Sequence, residues 1–172
     1  MGTTGRNLCS QIMKRVDINR ILDLDEVSID HLVKESSFQG FRFVERLIRD
    51  YRSGLNCFDT SGEMLLTASL EGVVIGVGGL NRDPYFNDLK VGRLRHLYVG
   101  SVWRRCGVGR LLVEQLIHEA SQHYHLLALR TDTLAADKFY QKLGFKTHPN
   151  WEHTTHHLQL SEGAYFPLID RI

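Results

Sequence analysis

The stretch from Arg93 through Val99 and Gly107 to Leu116 limits the fold most, because its hydrophobic period changes partway along. Leu94, Leu97, Tyr98 and Val99 supply the large and β-branched side chains of a strand. After a short polar break, Val108, Leu111, Leu112, Leu116 and Ala120 fall at helical spacing. Gly107 and Gly109 open that helix, with Arg104, Arg105 and Arg110 around them. A helix start carries unpaired N–H groups and the positive end of the helix dipole, so it suits an anion. Glycine lets a bulky anion approach the backbone, and arginine adds charge and paired donors. Taken together these features suit a phosphate or diphosphate ligand. The plainer reading is a helix start with a solvated basic rim.

Spacing excludes two common phosphate loops. A dinucleotide fingerprint needs a third glycine three residues after Gly109, where Leu112 stands. A P-loop needs Gly-Lys-Ser/Thr after a four-residue gap, and the chain has no such string.

The rest of the chain sets the frame. At 172 residues and 42% hydrophobic, it can bury one core, so 11–172 is expected to be a single domain after a flexible N-terminus over 1–10. A net charge of +1 gives no support to nucleic-acid or membrane-surface binding. No apolar run reaches the roughly 18 residues of a membrane span, and the N-terminus lacks the apolar core of a signal peptide. Three well-separated cysteines, Cys9, Cys57 and Cys106, fit a reducing cytoplasm better than a disulfide scaffold. Periodicity gives a strand over 11–16 and helices over 24–34 and 41–51. Strands over 63–70 and 73–80 form a hairpin about Glu71-Gly72. Gly76, Gly78 and Gly79 suggest a bulge or a close neighbour in the second of these. Phe38, Phe41 and Phe43 read chiefly as core, with a pocket floor as the alternative. A buried strand over 126–130, a helix over 134–143 and strands at 145–147 and 156–160 complete a mixed α/β order with a right-handed crossover.

Two motifs carry a resemblance. Arg104-x-x-Gly107-x-Gly109 after Leu97-Tyr98-Val99, and Ala136-x-x-Phe139-Tyr140-x-x-x-Gly144-Phe145, closely resemble the GCN5-related N-acetyltransferase (GNAT) family. The resemblance implies a mixed central sheet with splayed central strands, flanked by helices on both faces. It implies acetyl-CoA as co-substrate, with no metal. The CoA diphosphate would lie on Arg104, Arg105, Cys106, Gly107, Val108, Gly109 and Arg110. Pantetheine would run along the backbone of Leu97, Tyr98 and Val99, with Ala136 and Phe139 nearby. Thr133 stands where the family usually has an asparagine that helps hold the cofactor.

The implied reaction is direct attack by an amine of a small molecule or peptide on the thioester, in a ternary complex. The N–H near Val99 would support the oxyanion. Tyr140 matches the residue that protonates the leaving thiolate; a phenol of pKa about 10 needs help to do so for a thiol near 8.5. The general base stays open among His96, Asp132, Asp83 and a chain of waters. Cys106 falls on a free motif position and needs no covalent role. His153, His156 and His157 lack metal-ligand spacing, and strand alternation accounts for them. The alternatives are a non-catalytic acyl-CoA sensor and a domain binding another nucleotide. No nucleic-acid or membrane partner is expected, and a homodimer is left open.

Overall fold

The computed structural model describes residues 9–148 and 150–160. Its centre is a seven-stranded sheet in the order β1-β2-β3-β4-β5-β7-β6. The strands are β1 (Val16–Ile21), β2 (Met64–Leu70), β3 (Val73–Arg82), β4 (Val91–Val99), β5 (Leu126–Leu129), β6 (Lys146–Thr147) and β7 (His156–Gln159). The helices are α1 (Asp30–Phe38), α2 (Phe43–Arg52), α3 (Val108–Ala120) and α4 (Leu134–Lys142). Neighbouring strands run antiparallel except β4 and β5, which the α3 crossover makes parallel.

Helices cover both faces. Against one, Val108, Leu112, Val113, Leu116 and Ile117 of α3 pack with Tyr140 and Phe145 on Leu66, Ile75, Leu80 and Leu127. Against the other, Leu32, Val44 and Leu47 of α1 and α2 pack on Leu65, Val77 and Tyr98. The β2–β3 hairpin turns at Glu71 (φ 51°) and Gly72 (φ 81°), the paired left-handed residues a two-residue hairpin turn favours.

The N-terminal third departs from its periodicity. Residues 9–13 are a helical turn, not part of a strand over 11–16, and β1 begins at Val16. Ile12 and Met13 of that turn pack against the main core, which the alternation of Ile12 and Val16 had mimicked. The other expected helices start late. Asp23 accepts a hydrogen bond from Asp25 N–H and closes a short turn over Leu24–Glu26, Val27 is extended, and α1 starts only at Asp30. Phe41 and Phe43 pack with Tyr98, their ring centroids 6.5 and 6.1 Å from it, whereas Phe38 is 93% exposed. The larger correction concerns the cysteines. Cys9 and Cys106 form a disulfide across 97 residues, and Cys57 is free. Separation along the chain had concealed their contact in space. The expected flexible stretch 1–10 lies outside the described residues except for Cys9 and Ser10, which are helical. Among the described residues no helix is long and apolar enough to cross a membrane.

Candidate active site

The site is built where β4 parts from its neighbours. β4 and β5 share only Val91↔Leu126, Gly92↔Leu127 and Arg93↔Ala128, and beyond Arg93 they separate into a fork. On its other side β4 bulges against β3. Pairing passes from Gly79↔Arg95 to Val77↔Tyr98, so Gly78 faces both His96 and Leu97. His96 absorbs the extra residue at φ 56°. Gly78 tolerates the bulge because it has no side chain; an added Cβ would lie 3.2 Å from Leu97 and Leu116. Past the bulge, the Gly100 N–H donates to the Ile75 carbonyl at 2.9 Å. Antiparallel alternation then turns the N–H and C=O of Val99 and Leu97 away from β3, toward the fork.

The fork ends at the start of α3. Gly107 is its N-cap at φ 96°, and among the described residues no side-chain cap is seen on the first turn, so those N–H groups can serve a ligand. Arg105 also takes a left-handed conformation, φ 65°. Gly109 lies opposite Val99 and Phe139, each 3.6 Å from where its Cβ would stand. Val108 is buried beneath the turn. Arg110 reaches along the helix to Glu114 at 2.6 Å.

Arg104 does not point into this loop. Its Nε donates to the Val99 carbonyl at 2.8 Å and its NH2 to Gln39 Oε1 at 2.7 Å, and its guanidinium lies 5.1 Å over the Tyr98 ring. Glu35 completes the brace: its Oε1 accepts from Tyr98 OH and from Ser101 N–H, each at 2.7 Å. Burial pulls the Glu35 pKa upward, but the hydrogen bonds from Tyr98 and Ser101, with Arg104 nearby, outweigh it and hold the carboxylate below its usual range. Burial and that same carboxylate push the Tyr98 phenol up to about 12. Glu35 and Gln39 were invisible to sequence reasoning, since nothing separates them from other polar residues of α1.

Across the fork stands α4. The Thr133 hydroxyl caps the helix by accepting the Ala136 N–H at 3.2 Å, so the position that departs from the family pattern has a structural duty. Ala136 and Phe139 pack on the main core. Tyr140 sits between Phe139, Phe145 and His156, with centroids at 5.1, 5.4 and 6.1 Å. No hydrogen bond to its hydroxyl is seen among the described residues, and burial pushes the phenol pKa well above its ordinary value. Helix α4 is pinned to β7: His156 Nε2 meets Asp137 Oδ1 at 2.9 Å, and Gln141 donates to the same oxygen at 2.7 Å. On the other side of the ring Nδ1 meets Thr155 Oγ1, which accepts from Thr131 N–H. His153 stacks on Tyr85, and His157 packs near Trp151. Among the described residues no group of three or more His, Cys, Asp or Glu side chains is arranged to hold a metal.

Two of the base candidates are committed elsewhere. His96 is buried, with Nδ1 2.7 Å from the Phe43 carbonyl, and desolvation pushes its pKa down to about 4. Asp83 is fully buried, its Oδ2 accepting from Arg93 Nε at 2.7 Å and its Oδ1 from the Tyr85 and Phe86 N–H groups. Arg93 also donates to Thr154 Oγ1 and the His153 carbonyl, joining the β3–β4 loop to the segment before β7. Asp83→Ala should therefore cost about 3–5 kcal/mol by leaving Arg93 buried and uncompensated. In thermal melts this is a fall in Tm of roughly 6–20 °C, partly recovered when Arg93→Met is added. Asp132 is exposed, 3.6 Å from Arg130.

Comparison with known proteins agrees with this geometry. Residues 26–145 match the profile of the acetyltransferase (GNAT) family. An acetyltransferase-type protein of Exiguobacterium sp. 255-15 is 35% identical, with a TM-score of 0.77 over 84% of this chain and 93% of that one. The fold recurs in yncA of Salmonella typhimurium, solved with its cofactor acetyl-CoA, at 18% identity and TM-score 0.63 over 88% of this chain and 97% of that one. It recurs again in YhbS of Escherichia coli, solved with CoA, at 19% and 0.60 over 86% and 83%. The fork, the uncapped start of α3, the family match and the Exiguobacterium relative agree: this chain belongs to the GNAT family of acetyltransferases.

Proposed function

We propose that this protein moves the acetyl group of acetyl-CoA to a primary amine of a small molecule or peptide, by direct attack in a ternary complex. The observation that carries the reading is the fork, where the backbone of Leu97 and Val99 is turned out of the sheet and leads to the uncapped N–H groups of α3. The diphosphate would take those N–H groups, helped by Arg105 and Arg110 at the rim. Arg104, held by Val99 and Gln39, braces the fork instead. Pantetheine would lie along Leu97 and Val99, so that the Val99 N–H meets the thioester oxygen as it gains charge.

The amine attacks the carbonyl carbon, the C–S bond breaks, and the departing thiolate takes a proton. Tyr140 supplies that proton. Burial keeps the phenol protonated well beyond neutrality, so the donor form is the one present near neutral pH. Burial also makes the transfer uphill from the phenol, so the thiolate first gains from the hydrogen bond and is protonated as it leaves. With His96 and Asp83 committed elsewhere, Asp132 and ordered water remain to accept the amine proton. Cys106, tied to Cys9, offers no free thiolate for a covalent intermediate. We place the whole reaction in one domain spanning 11–172. A cytoplasmic location now rests on the acetyl-CoA requirement alone, since the disulfide removes the support from unpaired cysteines.

The test is CoA release from acetyl-CoA across a library of amines. The expected result is turnover with a subset sharing one scaffold. Tight acetyl-CoA binding with no release for any amine would establish the sensor reading instead.

A further inference from the structure

We propose that Cys9 and Cys106 form a reversible thiol–disulfide site that sets the affinity of the α3 loop for acetyl-CoA; this rests on the acetyl-CoA reading above. Cys106 lies between two left-handed residues, Arg105 at φ 65° and Gly107 at φ 96°. Alternating backbone hands of this kind turn successive N–H groups toward one side and make a concave anion site. Arg105 is not glycine, so its conformation persists only where the surroundings over-determine it.

Two contacts hold the residues that follow it, and both come from the helical turn at 9–13. Cys9 bonds to Cys106, with Cα atoms 4.9 Å apart. Met13 lies on Gly107, its Cε and Sδ 3.1 and 3.3 Å from where a Cβ would stand. Cys9 and Met13 are four residues apart, so they share one face of the turn and grip adjacent residues of the loop. Both bridged cysteines are partly exposed, within reach of a small thiol. Two molecules of a low-molecular-weight thiol, each giving one electron and one proton, open the bridge to two protein thiols and leave as their own disulfide. The same small disulfide restores it in reverse. Opening the bridge detaches the grip at Cys106, frees the loop to leave its left-handed conformation, and makes acetyl-CoA bear the cost of reordering it.

The experiment measures acetyl-CoA binding by calorimetry on oxidised and dithiothreitol-reduced protein, with thiols counted by alkylation and intact mass after unfolding. Oxidised protein should show one reactive thiol, from Cys57, and reduced protein all three cysteines. The dissociation constant should rise about three- to tenfold on reduction, the scale of lost preorganisation in one loop. Cys9→Ser, whose fold is checked by thermal melt, should hold the reduced-state value and ignore dithiothreitol. Its KM for acetyl-CoA should rise while kcat stays near that of oxidised protein. Equal affinities with the bridge shown open, a Cys9→Ser protein that still responds to reductant, or three reactive thiols before reduction would each overturn the inference and leave the function standing. Absence of acetyl-CoA binding in both states would remove the function and this inference together.

Discussion

Replacing Tyr140 with phenylalanine is expected to lower the turnover rate of acetyl transfer by about 10²–10⁴-fold, the usual worth of a positioned general acid. The substitution keeps the ring that packs against Phe139, Phe145 and His156, so the fold and acetyl-CoA affinity should be unchanged. The loss belongs in kcat. The pH dependence follows from the sign of the shift. Burial raises the phenol pKa, and on the proposed reading the protonated phenol is the working form. Activity limited by this group should persist up to the ordinary phenol pKa of about 10 and fall only above it, and that alkaline limb should vanish in the variant. Steady-state rates across pH, with a thermal melt as control, decide the matter. Near-normal turnover in a folded Phe variant would remove the general-acid role.

Gly107→Val should weaken acetyl-CoA binding by about 10–100-fold, because a β-branched residue is strained at φ 96° by roughly 1–3 kcal/mol. Relief of that strain should rotate the first N–H groups of α3 away from the proposed diphosphate position. Gly109 gives the contrasting case. Its Cβ would lie at ordinary contact distance, 3.6 Å, from Val99 and Phe139, so Gly109→Ala should bind almost normally. Gly109→Ile fills the gap between them and should bind poorly. Calorimetric affinities equal to the wild-type value for both Gly107→Val and Gly109→Ile would remove the diphosphate assignment.

The parts of this molecule legible in the sequence are those whose signal is local. Arg93 to Val99 reads as a strand, Gly107 onward as a helix, and 126–130 as a buried strand, because each carries its period over consecutive residues; the strands themselves run over Val91–Val99 and Leu126–Leu129. The hairpin at Glu71-Gly72 and the irregularity at Gly78 were legible for the same reason, since turn and bulge chemistry lies in adjacent residues. Ile12 and Val16 misled because two apolar residues four apart satisfy a strand and a helical turn alike. Glu35 gave no sign of its place, since its partners Tyr98, Ser101 and Arg104 come from more than 60 residues away. The Cys9–Cys106 bridge was hidden by a still longer separation. Arg104 shows the subtler limit: its motif position was legible, but the direction of its side chain depended on Gln39 and the Val99 carbonyl.

The brevity of the β4–β5 seam carries a consequence for folding energetics. With only three register pairs joining them, the four strands on one side and the three on the other share a boundary that the chain leaves unfinished. On the proposed reading, the acetyl donor lies along that boundary and does there what the remainder of a strand would have done. It binds only the folded protein, so its concentration becomes a term in stability. A hundredfold excess over the dissociation constant adds about 2.7 kcal/mol to unfolding. Such a protein grows harder to unfold as the acetyl donor accumulates and easier to clear when the supply falls, with no further regulator required.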